Sequence, residues 1–312
     1  MSTTRSNTAP TLETAAAIEA VKADASREAH AAAEPSPQLP AEPLVTITPP
    51  RSWLNFGLGE LWAHRELLYF LAWRDLKVRY KQAVLGIAWV LIQPLMLTLI
   101  FTVFLGMLAR VPSDGVPYPL LIYVGLLPWT FFSSSVNTSG NSLVANSNLI
   151  TKVYFPRLIV PSASVLARLV DFGIAFLILA GMMIFYRVPL NVKLLALPAL
   201  VTLTTLLALG FGMLISALNV KYRDVGIMLP VLLQLWMYVS PVLYSTSLVP
   251  GNWRWLYSLN PLVGIIDGFR SAVLGRPFDL PSLAVSAVFT TALLLFALYF
   301  FRRVERSFAD VI

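Results

Sequence analysis

Long apolar segments alternate with short polar connectors along this chain, and the alternation predicts membrane-spanning helices. A helix of about 20 apolar residues crosses the roughly 30 Å hydrocarbon core of a bilayer. Six segments meet that requirement, at about residues 82–109, 118–143, 161–186, 194–219, 225–244 and 280–301. The sequence therefore predicts an all-α membrane protein with a six-span transmembrane domain over residues 83–312.

The pattern differs in the two regions before the first span. Residues 1–50 are rich in Ala, Glu, Pro, Ser and Thr without a sustained apolar face, which predicts a disordered tail. Residues 51–82 contain LLYFLAWRDLKVRYKQ, whose first half is apolar and aromatic and whose second half is basic. That order predicts an N-terminal amphipathic helix lying in the membrane interface.

Composition agrees with a membrane protein and argues against a nucleic-acid partner. The chain is 57% hydrophobic and 12% charged, whereas soluble domains are about a quarter charged. Its net charge of +7 comes from basic residues that flank apolar segments and form no continuous stripe. Their excess in alternate connectors predicts a multi-pass membrane protein with both termini in the cytoplasm.

The residues needed for catalysis or metal binding are scarce. There is no cysteine, and both histidines, His30 and His64, precede the first span without a ligand or triad partner at useful spacing. No glutamate occurs between Glu66 and Glu305, and no glycine is followed by lysine, so a P-loop is absent. We predict no catalytic, cofactor or metal site in this chain, which is not an enzyme by itself.

One carboxylate falls inside a predicted span. Asp171 follows Arg168 by three residues, which places both on one helix face, where they neutralise each other. We favour this structural pair, because pairing is the usual remedy for a costly intramembrane charge. The alternative is a relay in an ion-driven transporter.

Several motifs in a fixed order resemble a known family from about residue 67 to the C-terminus. They are RDLKVRYKQAVLGIAWVLIQP, KVYFPRLIVP, YRDV, SPVLYS and LNPL. In this order they are similar to the membrane subunit of ATP-binding-cassette polysaccharide exporters. The resemblance implies a homodimer with two copies of a P-loop ATPase subunit, which binds ATP and Mg. It also implies a lipid-linked polysaccharide as the substrate.

The resemblance assigns a coupling role to the connector between the second and third spans. In such exporters this connector is a coupling helix that docks on the ATPase, and aromatic and basic side chains suit that contact. The alternative is an ordinary positive-inside loop with interfacial aromatics. The candidate coupling residues are Lys152, Tyr154, Phe155, Pro156 and Arg157, with Tyr222, Arg223 and Asp224 as a secondary contact.

The implied substrate suggests three further groups of residues. Basic side chains of the interfacial helix are placed to receive headgroup phosphates, unless the helix is a membrane anchor alone. Polar and aromatic residues of the spans are candidates for the translocation path, with helix packing as the alternative. Aromatics before the last span are similar to external re-entrant gate helices, or are interface anchors. The candidate headgroup residues are Arg74, Lys77, Arg79 and Lys81. The candidate path residues are Trp89, Trp129, Phe132, Ser133, Ser134, Asn137, Trp236 and Tyr238. The candidate gate residues are Trp253, Trp255 and Tyr257.

Two other classes of function stay open at this point. One is a drug or small-lipid exporter of related architecture. The other is an ATP-independent flippase, or a scaffold of a polysaccharide synthesis complex. The dearth of carboxylates in the spans counts against an ion-driven flippase. A scaffold would not need so distinctive a connector.

Overall fold

A computed structural model describes residues 12–31, 58–81, 87–153 and 155–305, which are helical with short connections and contain no β-strand. The chain divides into two units, Met1–Trp53 and Leu54–Ile312. In the first unit, helix α1 covers Leu12–Ala31, and its described side chains are exposed. Alanine has the highest helix propensity, which accounts for a helix whose described side chains are all exposed. The rest of the predicted tail, residues 1–50, lies outside the described residues, and its disorder stays a prediction.

The second unit contains the predicted membrane domain. Short 3₁₀ turns and irregular connections separate its helices. Their bounds are α2 Leu58–Ala63, α3 Arg65–Lys81, α4 Ile87–Phe101 with a π-helical continuation Thr102–Leu108, α5 Tyr118–Ala145, α6 Ser147–Lys152, α7 Ile159–Phe185, α8 Leu197–Lys221, α9 Asp224–Val239, α10 Arg254–Ser258, α11 Pro261–Leu274 and α12 Leu280–Glu305.

Within the described ranges, five helical segments are long and apolar enough to cross a membrane. They are Ala88–Leu108, Tyr118–Ala145, Ile159–Phe185, Val192–Lys221 and Leu280–Glu305. The all-α membrane fold is confirmed, while the count of six spans stays a prediction.

The fifth predicted span, residues 225–244, is longer than the helix that the structure shows there. Helix α9 has 16 residues and therefore rises roughly 24 Å, less than the hydrocarbon thickness. It ends where Ser240 takes an extended conformation directly before Pro241, because a proline disfavours helical geometry in the residue that precedes it.

Helix α5 is the most buried of the five candidate spans and packs against α4, α7, α8, α9 and α11. Small residues bring α5 and α8 together. The Ser139 side chain lies where a side chain on Gly212 would be, and Ile215 lies where one on Gly140 would be. Helices in lipid associate through such close contact, since lipid offers no hydrophobic driving force between them.

Buried apolar side chains form two clusters. The larger one surrounds α5 and includes six buried side chains of α11. The smaller one, which we term the connector cluster, joins α3, the α6–α7 connection and the adjoining ends of α5, α7, α8 and α12. Its buried members are Leu71, Leu143, Ile150, Phe155, Leu158, Ile159, Val160, Ala163, Met213, Ala217, Val220, Ala297, Leu298 and Phe301.

Helix α11 is fixed to the segment that follows α9. Arg270, 3% exposed, donates to the carbonyl oxygens of Tyr244 (2.8 Å) and Val242 (3.2 Å). The Asn260 side chain caps α11 at the Leu262 amide (3.1 Å) and donates to Ser240 Oγ (2.9 Å). The SPVLYS and LNPL motifs are therefore hydrogen-bonded to each other beside the C-terminal end of α9.

This arrangement predicts that Asn260→Ala destabilises the protein. The change removes the cap, the bond to Ser240 and the bond accepted from Trp236 Nε1 (3.1 Å). Loss of these part-buried hydrogen bonds costs about 1–3 kcal/mol, so thermal unfolding should begin at a lower temperature. Asn252→Ala, at an exposed asparagine nearby, is the matched control. Equal midpoints for the two variants would contradict the anchoring role of Asn260.

Candidate headgroup site and coupling surface

Helix α3 runs beside the first half of α7. Its Leu71 belongs to the connector cluster, Asp75 accepts from Ser164 Oγ (3.4 Å), and Arg79 contacts Asp171. Residue numbers increase together along both helices, so the two run parallel.

The four predicted headgroup residues on α3 fall into two pairs. Arg74 donates to Asp75 Oδ1 (2.9 Å) and Asn146 Oδ1 (2.7 Å), and Arg79 is paired with Asp171. Lys77 and Lys81 are exposed. Exposed Tyr69 and Trp73 stack with ring centroids 6.4 Å apart on the preceding turns. The outer face of α3 thus carries aromatic rings followed by lysines, as an interfacial helix requires.

Asp171 joins α3 to α7. Arg168 Nη1 lies 3.0 Å from Asp171 Oδ2, which confirms the predicted pair within one helix. From α3, Arg79 Nη1 donates to Oδ2 and the Tyr80 hydroxyl donates to Oδ1. Burial, and then the bond to Asp171, raises the pKa of Tyr80 to about 12, so the phenol keeps its proton. Arg79 was predicted only as a headgroup residue, and neither it nor Tyr80 was predicted as a partner of Asp171, although an intramembrane carboxylate calls for donors from neighbouring helices.

Only some of the predicted coupling residues on the connector between α5 and α7 are exposed. Lys152 ends α6 and is exposed, as is Val153, while Tyr154 lies outside the described residues. Phe155 is 7% exposed and packs into the connector cluster. Its ring, which was predicted to contact the ATPase, therefore anchors the connector to this chain.

The last described residues of α12 hold the other side of the connector. The Arg157 amide donates to Glu305 Oε1 (3.0 Å), and its guanidinium donates to the Glu305 carbonyl. Pro156 between these contacts is half-buried. The connector is thus fixed by an apolar ring on one side and by hydrogen bonds on the other.

The turn between α8 and α9 lies at the same end of the bundle. Tyr222, Arg223 and Asp224 are exposed there. Asn219, 3% exposed, donates to the Gly140 carbonyl (3.1 Å) and accepts from the Gly226 amide (3.0 Å). Asn219 therefore connects the ends of α5, α8 and α9, a role that the sequence analysis did not identify.

Three predicted path residues belong to an aromatic core. Trp129 and Phe132 are buried, with ring centroids 6.0 Å apart. Trp236 meets Phe132 edge-on at 5.4 Å and Phe211 at 5.1 Å. In this chain these rings act in helix packing, which was the alternative interpretation.

The other predicted path residues lie nearer the surface. Ser133, Ser134 and Asn137 are half-buried on α5, and Trp89 and Tyr238 are exposed. The structure does not bring these two aromatics into the core around Phe132. Their part in a translocation path stays a prediction.

The predicted gate aromatics lie at the opposite end of the bundle from the connector. Trp253 ends a short 3₁₀ turn and Trp255 lies in α10, and both side chains are exposed. The Tyr257 hydroxyl donates to the Tyr244 hydroxyl (3.0 Å) and is half-buried. A gating role for these residues stays a prediction.

Asp114 links the α4–α5 loop to two other segments at this end. It accepts from Ser245 Oγ (2.5 Å), from Ser247 Oγ (3.1 Å) and from Arg276 Nη1 (3.3 Å). These bonds, that from Ser245 above all, lower the pKa of the Asp114 carboxyl below its ordinary value of 3.8. The ionised carboxylate therefore stabilises the folded loops.

Comparison with known proteins identifies the family. The sequence pattern described as ABC-2 type transporter matches residues 66–274. This chain belongs to the ABC-2 type transporter family. No group of three metal-ligating side chains occurs in the part of this transporter chain that the structure describes.

Relatives of this ABC-2 chain align over most of its length. An O-antigen export system permease protein RfbA of Myxococcus xanthus is 30% identical over 81% of this chain and 98% of its own length. A protein of the same name from Klebsiella pneumoniae is 27% identical over 83% of this chain and 98% of its own length. The polysialic acid transport protein KpsM of Escherichia coli is 25% identical over 75% and 92% of the two chains.

The Asp114 contacts predict a pH dependence of stability. Because the folded-state pKa is depressed, the stabilisation is complete above the ordinary pKa of 3.8 and is lost as the pH falls through the folded value. Asp114→Asn should therefore show a smaller drop in unfolding temperature between about pH 5 and pH 3 than the unaltered protein.

Ser245→Ala, which removes one donor, should give an intermediate drop. Intrinsic tryptophan fluorescence on heating in detergent provides the measurement. An Asp114→Asn protein that keeps the whole pH dependence would contradict the role of this carboxylate.

Proposed function

We propose that this chain is the permease subunit of an ATP-driven exporter that moves lipid-linked polysaccharide from the cytoplasmic side across the inner membrane. The observation that carries the proposal is that α3, with its basic and aromatic outer face, shares one apolar cluster with the connector. Near-complete alignment with O-antigen export permeases supports the class of substrate. Both termini are cytoplasmic in this proposal.

Substrate binding begins at the exposed face of α3. Lys77 and Lys81 attract the phosphates of a polyprenyl-linked glycan, each adding about 1 kcal/mol near an anionic surface. Trp73 holds the helix at headgroup depth. The half-buried polar edge of α5, with Ser133, Ser134 and Asn137, lines the glycan path in this proposal, because polar groups in a span face protein or water.

Energy comes from a separate P-loop ATPase that binds ATP and Mg. It docks on the exposed part of the connector, around Lys152 and Val153, and on Tyr222–Asp224. Two chains and two ATPase subunits form the exporter, because one bundle encloses too little space for a polysaccharide. Phe155 is packed with residues of α3 and α12, so a push on the connector moves these helices as a unit. Trp253 and Trp255 belong to the external gate.

Reconstitution of the chain with its ATPase in proteoliposomes tests this function. The proposal predicts ATP-dependent transfer of a polyprenyl-pyrophosphate-linked glycan into a compartment where an added glycosidase digests it. A drug or a short phospholipid should not be transferred at a comparable rate. Transfer of the glycan without ATP, or of the small molecules instead, would contradict the proposal.

A charge-reversed connector should uncouple the two subunits. Lys152→Glu with Val153→Asp alters only exposed side chains and should leave the fold intact. Loss of an interface anchor costs about 2 kcal/mol or more, which corresponds to more than a tenfold weaker ATPase attachment. Retention of the ATPase on the tagged, purified permease is the measurement.

The matched control is Arg254→Glu, an exposed charge reversal at the other end of the bundle. It should retain the ATPase fully. Unchanged retention by the connector variant would contradict docking at this site.

A further inference from the structure

We propose that Arg79, Tyr80 and Arg168 form a phosphate-binding site which Asp171 occupies in this structure, and that a phosphate group of the lipid-linked substrate displaces Asp171 from it. This inference rests on the proposed function and deepens it. It assigns the group that the site recognises and makes Asp171 an internal substitute for the ligand.

The donor set supports this assignment. Two guanidinium groups and a phenol hydroxyl, brought together from α3 and α7, converge on one carboxylate. Arginine forks bind phosphate as readily as carboxylate, because both present oxygen pairs of matching geometry. Arg168 Nε is also buried and lacks a hydrogen-bond partner among the described residues. The site thus has at least one donor, Arg168 Nε, that Asp171 does not use.

The charges of the site also favour an anion that carries more negative charge than one carboxylate. Two arginines face one carboxylate here, and both are more than half-buried. The pyrophosphate linker of a polyprenyl-linked glycan carries about two negative charges, one on each phosphate, and several acceptor oxygens. It would balance the arginines and reach more of their N–H groups than a carboxylate does.

The site lies on the side of α3 that faces α7. Lys77 and Lys81 lie two residues before and after Arg79 and are exposed, and residues at that spacing point to nearly opposite sides of a helix. The lysines attract a headgroup to α3, and Arg79 receives it where α3 meets α7. Release of Asp171 loosens the joint between α3 and α7. Both helices contribute to the connector cluster. Phosphate binding between α3 and α7 therefore alters the packing of the connector on which the ATPase docks.

Binding to the full-length chain in phosphatidylcholine nanodiscs tests the inference. The two probes are inorganic pyrophosphate in solution and a long-chain polyprenyl phosphate in the nanodisc. Asp171→Asn removes the competing charge and keeps the shape, so both probes should bind about tenfold more tightly. Adding Arg79→Gln should abolish the gain.

Asp75→Asn is the matched control. Asp75 is an α3 carboxylate paired with Arg74 at 2.9 Å, and its loss removes the same charge outside the three-donor site. It should leave both affinities within about twofold of the unaltered protein. An equal gain in the control would overturn the inference, since any lost negative charge would then suffice.

Thermal unfolding gives a second readout if Asp171→Asn is poorly stable. The variant leaves two arginines without a counter-ion and should unfold at a lower temperature. Pyrophosphate should raise that temperature more than it raises the temperature of the unaltered protein. A destabilised variant that pyrophosphate neither binds nor restores would show a structural ion pair only.

The two probes separate the sources of phosphate. A gain for pyrophosphate alone would assign the site to a soluble phosphate and overturn the lipid-linked ligand. Failure of this inference is also distinct from failure of the proposed function. Unaltered affinities together with ATP-driven glycan transfer would overturn the site alone. A gain in affinity without such transfer would support the site and contradict the exporter.

Discussion

The close packing of α5 is the constraint on which the rest of the molecule depends. In hydrocarbon, helices gain little from burying apolar surface against one another, so contact distance and satisfied polar groups decide their association. Helix α5 meets that condition along its length. Gly125 leaves room for Arg270 and the Val242 carbonyl at one end. The Gly140 carbonyl accepts from Asn219 at the other end. Both ends of the bundle are therefore organised on one helix.

The two ends differ in chemistry, and the difference explains how they serve transport. At the end opposite the connector, Arg270, Asn260 and Asp114 bind backbone and side-chain groups of the loops, which makes a polar, hydrogen-bonded assembly. At the connector end, apolar side chains from α3, α7, α8 and α12 share one cluster. Packed apolar clusters shift between discrete arrangements and do not deform smoothly. The connector end is thus suited to transmit a movement, while the opposite end is suited to hold its loops in place.

The sequence predicted the features that depend on local pattern. Apolar length identified the candidate spans, and the three-residue spacing of Arg168 and Asp171 predicted their pair. Contacts between residues that lie far apart in the sequence were not predicted. Arg79 reaches Asp171 across 92 positions, and no periodicity carries that information. The burial of Phe155 was not predicted either, because an aromatic ring on a short connector can pack against its own chain or against a partner. The early end of α9 was readable in principle from Pro241.

The most direct test of the account is the composition of the intact complex. The chain would be extracted from its native membrane in mild detergent, purified by a tag and measured by native mass spectrometry alongside an ATPase assay. An ATP-driven exporter should give one assembly of two copies of this chain with two copies of a P-loop ATPase, active in ATP hydrolysis. A chain that purifies alone under the same mild extraction, with no ATPase activity, would contradict the ATP-driven exporter.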